Sequence, residues 1–288
     1  MTMLSSLNGF AEKLLAGRWM AGAEVHNALE VARKLNDHGM RAIINYLGEA
    51  YTEQYKVEHA VDTYMRLIRY IEQTKSSADI SVKMTQLGLL IGKDVAERNY
   101  AEILAAARRA KVFVWVDMEE STYVDDTIEI YTSHMYGDMC GICIQAYLKR
   151  SEKDLLSLLK RGATIRLVKG AYTSSRSKGY ATRAEVTDNF AKLMSLLFGK
   201  GRSFTIATHD LTMIDMALKA NKTAHKDVTY AMLKGIRNGF IEELAKQGEK
   251  VSVYVPFGEE WIPYSYRRLK EAGHLKLLLR SLFERKGA

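Results

Sequence analysis

The sequence predicts a single (β/α)8 barrel of the TIM type, and three observations carry that prediction. Short β-branched or apolar runs alternate along the chain with longer amphipathic stretches, and the runs number eight. No Gly/Ser-rich linker, repeat or low-complexity block divides the 288 residues, whose only prolines are Pro256 and Pro263. Strands alternating with helices predict a parallel sheet, and eight strands close a barrel of this kind. A doubly wound open sheet is the competing architecture. It would carry a G-x-G-x-x-G turn after its first strand if it bound a dinucleotide, and none is present.

Taken in order, a helical N-terminal segment over residues 1 to about 40 precedes the first strand, Arg41–Leu47. The helical pattern Val57–Ile71 leads to a strand at Ile80–Lys83, and Tyr100–Ala110 leads to Val112–Asp117. Ile142–Ala146 is the fourth strand, followed by a helix at Leu155–Arg161 and a fifth strand at Thr164–Val168. Ala184–Leu197 is helical, Phe204–Thr208 and Asp227–Met232 are strands, and Phe240–Lys246 is the helix before the last strand, Val251–Val255. The barrel is predicted to be distorted and to span residues 1–288 as one domain.

Composition narrows the function classes. With 47% apolar and 26% charged residues the chain can bury a sizeable core. It has no uncharged apolar run of about 18 residues, the length a spanning helix needs. Met1–Met20 carries Glu12 and Lys13 where a secretory signal would be apolar. Two cysteines fit a reducing cytoplasm rather than a disulfide framework. The net charge of +8 is spread out, without the basic arm or aromatic-basic interleaving of a nucleic-acid binder, so no nucleic-acid partner is expected. Weak attachment to anionic lipid stays open.

In barrels of this type chemistry sits at the C-terminal ends of the strands. Those ends read Glu49, Lys83, Asp117, Gln145, Arg166 with Lys169, Thr208 with His209, Leu233, and Tyr254. Singly, each polar residue is explained by rim solvation or helix capping. Together they predict a polar pocket.

Three stretches then carry a resemblance. They are Arg166-Leu167-Val168-Lys169-Gly170-Ala171-Tyr172, Ala207-Thr208-His209-Asp210, and the run Tyr254-Val255-Pro256-Phe257-Gly258-Glu259-Glu260-Trp261 continuing to Tyr264-Ser265-Tyr266-Arg267-Arg268-Leu269-Lys270-Glu271. Ser81-Val82-Lys83-Met84-Thr85, Val116-Asp117-Met118-Glu119-Glu120, Gln145-Ala146-Tyr147 and Leu47-Gly48-Glu49 support them. In that order, from about Leu47 to Glu271, these segments resemble the proline dehydrogenase family. The chain departs from its pattern at Thr173, where many members carry Trp.

The resemblance implies an FAD-dependent enzyme that oxidises L-proline to Δ1-pyrroline-5-carboxylate and passes electrons to a quinone. It implies that Arg267 and Arg268, with Lys83 as a third cation, bind the substrate carboxylate. A guanidinium fork recognises a carboxylate through paired charge-assisted hydrogen bonds. An Arg-Arg pair on its own would read as a solvated helix face. Leu233, Tyr254 and Tyr264 would pack the pyrrolidine ring, with the bulky Tyr254 favouring proline over hydroxyproline. Asp117 would lie beside Lys83 and orient the site; alone it would read as a helix cap. Arg166 would stand near the flavin's reactive edge, where positive charge stabilises the reduced ring. Gln145 would bond the ring's polar edge. Lys169, Gly170 and Ala171 would contact the pyrophosphate and ribose, and Met118, Val168, Tyr172, Thr208 and His209 complete the carried-over cofactor set. Glu49 would gate the site by pairing with Arg267. His209 is not given an acid–base role.

Two further features stand beside the resemblance. Cys140-Gly141-Ile142-Cys143 is a C-x-x-C without the second ligand pair of a zinc site. It runs into a predicted strand rather than a helix start, so it is read as structural, and no metal is expected. Leu275–Lys286 reads as a basic amphipathic helix that docks on the domain or, alternatively, lies at the inner face of a membrane. Two rival functions remain: a Schiff-base aldolase using Lys83 or Lys169, and a non-catalytic basic protein binding anionic lipid or nucleic acid.

Overall fold

The computed structural model describes residues 18–135, 139–172 and 174–260. Eight parallel strands close into a barrel in chain order, the last pairing with the first. Strands β1 (Arg41–Tyr46), β2 (Ala78–Val82), β3 (Val114–Val116), β4 (Cys140–Gln145), β5 (Thr164–Val168), β6 (Ser203–Ala207), β7 (Asp227–Leu233) and β8 (Lys250–Phe257) form the wall. Around it run α1 (Val25–Asp37), α2 (Gln54–Thr74), α3 (Lys93–Ala110), α4 (Val124–His134), α5 (Ser151–Lys160), α6 (Arg183–Lys200), α7 (Leu211–Ala224) and α8 (Asn238–Lys246). All eight predicted strands are present, each within a few residues of its predicted bounds.

The helices form where apolar residues recur at helical spacing. Helix α2 buries Val57, Ala60, Tyr64, Leu67, Ile68 and Ile71 against the wall and stops at Lys75, which caps it in the left-handed conformation. Helix α6 opens on a capping box: Glu185 N–H donates to Thr182 Oγ1 and Thr182 N–H to Glu185 Oε2. Helix α7 starts at Asp210, whose carboxylate accepts from Thr212 N–H at 3.1 Å. Between helices and wall lies one continuous apolar core.

Inside the barrel the filling is different. Side chains alternate along a strand with period two, and the inward set holds Asp79, Ser81, Trp115, Cys143, Gln145 and Arg166, all buried. At the bottom Asp79 pairs with Arg41 and accepts from Trp115 Nε1 at 3.3 Å. Gly141, facing Trp115 in register, leaves room for the indole to lie across the barrel. A Cβ there would stand 2.6 Å from the Trp115 ring and 2.9 Å from the Thr164 carbonyl.

Gly141→Ala is therefore expected to lose about 1–3 kcal/mol through overpacking, a fall of several degrees in Tm. Gly199→Ala, where nothing lies within 4 Å, is expected to hold or slightly raise Tm in the same thermal denaturation. Equal melting temperatures for the two variants would contradict this packing account.

Candidate active site

At the C-terminal end of the barrel a cavity of about 220 Å³ opens between the strand ends. Its floor is a cluster of charges. Asp117, just past β3, accepts at Oδ2 from Lys83 Nζ at 3.0 Å and from the Tyr254 hydroxyl at 2.7 Å. Its other oxygen accepts from Ser81 Oγ at 2.8 Å and from Arg166 Nη2. Lys83 also reaches Asn45 Oδ1, at 3.5 Å. Arg166, 3% exposed, donates through Nε to Cys143 Sγ at 2.8 Å and lies between two rings, Trp115 at 5.0 Å and Tyr254 at 5.5 Å. Its Nη1 is buried with no acceptor among the described residues.

These contacts fix the protonation states. Burial alone would raise the Asp117 carboxyl, but Lys83 and Arg166 overrule it and hold it well below the usual carboxylate range. Burial would lower Lys83, yet the Asp117 carboxylate keeps it well above an ordinary lysine. Burial pushes the Cys143 thiol up to about 11, so it stays a neutral thiol. Lys83, Arg166 and Asp117 together carry one net positive charge, which suits an anion above them. A Schiff-base lysine needs a neutral amine; Lys83 is held as the cation, which speaks against Lys83 as an aldolase nucleophile.

Around this floor the cavity is lined by Glu49, Met118, Gln145, Arg166, Val168, Lys169, Gly170, Ala171, Tyr172, Thr208, His209, Leu233 and Tyr254, along with Lys83 and Asp117. Gln145 donates to the Glu119 carbonyl at 2.8 Å. Gly170 has a positive φ of 104°, and a Cβ on it would meet the Tyr147 ring at 2.2 Å, so the backbone passes where only glycine fits. Lys169 pairs with Asp210 at 2.7 Å and donates to Thr187. His209 Nε2 accepts from Leu233 N–H at 2.9 Å, which places its ring proton on Nδ1. Tyr172 donates to Glu49 across the mouth at 3.0 Å. Tyr264, Arg267, Arg268, Thr173 and the Leu275–Lys286 helix lie outside the described residues.

Several residues at the cavity were not singled out from the sequence. Cys143, read as structural, lies two positions before Gln145, and Ser81 two before Lys83; the period of two along a strand was the signal for both. Ile43 and Met232 also line the wall. Among the described residues no group of three or more His, Cys, Asp or Glu side chains could hold a metal ion. None of their helices is long and apolar enough to cross a membrane.

Behind the floor, Glu119 ties the rim together. Its buried carboxyl accepts from Thr85 N–H at 3.0 Å and from the Thr85 hydroxyl. Thr85 in turn accepts from Ala50 N–H at its hydroxyl and from Tyr51 N–H at its carbonyl. The loops after β1, β2 and β3 are thereby bound to one another, and Gln145 adds β4. Burial pushes the Glu119 carboxyl up to about 7, against the hydrogen bonds from Thr85. The folded chain therefore keeps a proton that an unfolded glutamic acid releases near pH 4.5, and stability falls as pH rises from about 4.5 to 7, by on the order of 3 kcal/mol. Glu119→Gln is expected to flatten that part of the stability–pH curve in chemical denaturation. An unchanged curve would contradict the assignment.

Comparison with known proteins agrees with the barrel. A family model described as Proline dehydrogenase matches residues 28–279. "Proline dehydrogenase 2" of Bacillus subtilis is 30% identical over 266 residues, 91% of this chain and 88% of its own. "Proline dehydrogenase" of Deinococcus radiodurans is 32% identical over 267 residues, 89% and 86% of the two chains. A solved structure of proline utilization A (PutA) from Bdellovibrio bacteriovorus, inactivated by N-propargylglycine, shares the fold with a TM-score of 0.83 at 22% identity. It covers 95% of this chain, which spans 34% of that longer one. By the family match over most of its length, and by these relatives, the chain belongs to the proline dehydrogenase family of oxidoreductases.

Proposed function

We propose that the protein oxidises L-proline to Δ1-pyrroline-5-carboxylate with FAD as its cofactor, the electrons passing on to a quinone, as the first step of proline catabolism. The observation that carries this reading is the net-positive floor of Lys83, Asp117 and Arg166 beneath a cavity walled by Leu233 and Tyr254. Proline brings a carboxylate, a ring amine and an apolar ring, and the cavity offers a counterpart to the anion and to the ring.

The residues present fit a flavin. Arg166 has a buried donor without an acceptor among the described residues, and Gln145 and Lys169 line the same cavity. Arg166 and Gln145 would hold the ring's polar edge, and Lys169, Gly170, Ala171, Thr208 and His209 the phosphates and ribose. Val168, Tyr172 and Met118 would complete the contacts. When bound, FAD supplies the two-electron acceptor for a hydride from the ring.

The chain's own groups do the positioning. Lys83 has three N–H donors, and Asp117 and Asn45 take two, which leaves one for the substrate carboxylate. Asp117 is saturated with donors and strongly acidic, so it acts by orienting Lys83, Tyr254 and Arg166 and takes no proton. Tyr254, anchored through its hydroxyl, presents a fixed ring face to the pyrrolidine. Arg267, Arg268 and Tyr264 would close the site from the C-terminal segment, with Glu49 as the gate. Attachment to a membrane surface through Leu275–Lys286, from the cytoplasmic side, would bring the enzyme to its quinone.

The test is the visible spectrum of the purified protein, before and after L-proline is added without oxygen. Flavin bands that bleach with proline are the expected result. A protein that shows no flavin band even after incubation with added FAD would overturn the proposal.

A further inference from the structure

We propose that Trp19, in a segment that precedes the family match at residue 28, sets the size of the ring the cavity accepts. This rests on the proline-oxidising reading above. Residues 18–22 run across the end of β7, β8 and β1 as a strap. Ala21 N–H donates to the Pro256 carbonyl at 2.8 Å, and Gly258 N–H to the Gly22 carbonyl at 2.9 Å. Lys234 Nζ donates to the Arg18 carbonyl at 3.0 Å. Gly235 has a positive φ of 79°, and a Cβ there would lie 2.2 Å from that same carbonyl, so only glycine admits the strap at this point.

The strap delivers one large side chain. Trp19 is 1% exposed and packs in a small cluster with Leu47, Leu233 and Ile236, against which Tyr254 also rests. Leu47, Leu233 and Tyr254 line the cavity, whereas Trp19 does not. It stands behind them, in a cluster separate from the main core. Interiors are close-packed, so a lining residue holds its place only as firmly as what backs it. The Trp19 indole N–H is buried without an acceptor among the described residues, so the side chain earns its place by bulk and not by a hydrogen bond. With Trp19 in place the wall cannot retreat, and the five-membered ring fills the space. Without it Leu233 and Tyr254 gain room to move outward, and a ring one methylene larger is admitted.

The experiment compares kcat and KM of the holoenzyme for L-proline and for its six-membered-ring homologue, L-piperidine-2-carboxylate. Wild type, Trp19→Phe and Trp19→Ala are measured side by side. Trp19→Ala is expected to raise KM for proline more than it lowers kcat, and to cut the preference for proline roughly tenfold, the order a single methylene is worth in an apolar pocket. Trp19→Phe, which keeps the bulk and removes the orphan donor, is expected to retain the wild-type preference. If Trp19→Ala fails to fold, Gly235→Ala gives a second reading, since it pushes the strap away with Trp19 intact, and the same loss of preference is expected. A preference unchanged in the folded variant would overturn the assignment of Trp19. Wild-type protein that turns over neither compound would instead sink the functional reading on which it rests.

Discussion

Asp117 is withdrawn from water at the mouth of the barrel, and four donors from three other strands close on it: Ser81 and Tyr254 with hydroxyls, Lys83 and Arg166 with charges. Two buried cations, Lys83 at the end of β2 and Arg166 on β5, repel each other and lack water to solvate them, so their burial together depends on the carboxylate between them. The carboxylate in turn would be protonated by burial without the two cations. The charges of Lys83 and Asp117 thus depend on their partners. What remains is one positive charge fixed in a dry, rigid place. Because its members sit on β2, β3, β5 and β8, the cluster also locks the strand ends into one arrangement.

The loops follow from that frame. Glu119 and Thr85 stand two residues beyond Asp117 and Lys83, and their mutual hydrogen bonds carry the register of β2 and β3 past the point where the ladder ends. Ala50 and Tyr51 hang on Thr85, which sets Glu49 at the rim opposite Tyr172. On the far side Gly170 and Lys169 pass close to Tyr147, Gln145 and Asp210. Barrel enzymes place chemistry on strand ends for this reason: the scaffold fixes the side chains, and the loops only cover them.

Much of this was legible in the sequence because a buried parallel strand leaves a dense signal. Ile165–Val168 is apolar but for Arg166, and Cys140–Gln145 is buried throughout, so a charge or amide in such a strand stands out. Helices α4 and α7 were harder to see. Helix α4 is rich in Val, Thr and Ile, which favour strands, and α7 buries only Met213, Ile214 and Ala217. The pairing of Lys83 with Asp117 came from the family pattern. The contacts that complete the floor, from Ser81, Cys143 and Tyr254 to Asp117 or Arg166, depend on barrel closure, which brings together residues as far apart as 117 and 254. Trp19 could not be found by strand periodicity at all, since it reaches the site from outside the barrel.

The mutual dependence of Asp117 and Lys83 is measured most directly by a double-mutant cycle on stability. Asp117→Asn, Lys83→Met and the double variant would be unfolded with denaturant under identical conditions. Each single change strands a buried charge and is expected to cost about 3–5 kcal/mol. The double variant is expected to cost less than the sum by about 1–3 kcal/mol, the range for residues in direct contact. Additivity to within about 0.5 kcal/mol would contradict the claim that the two charges hold each other in place.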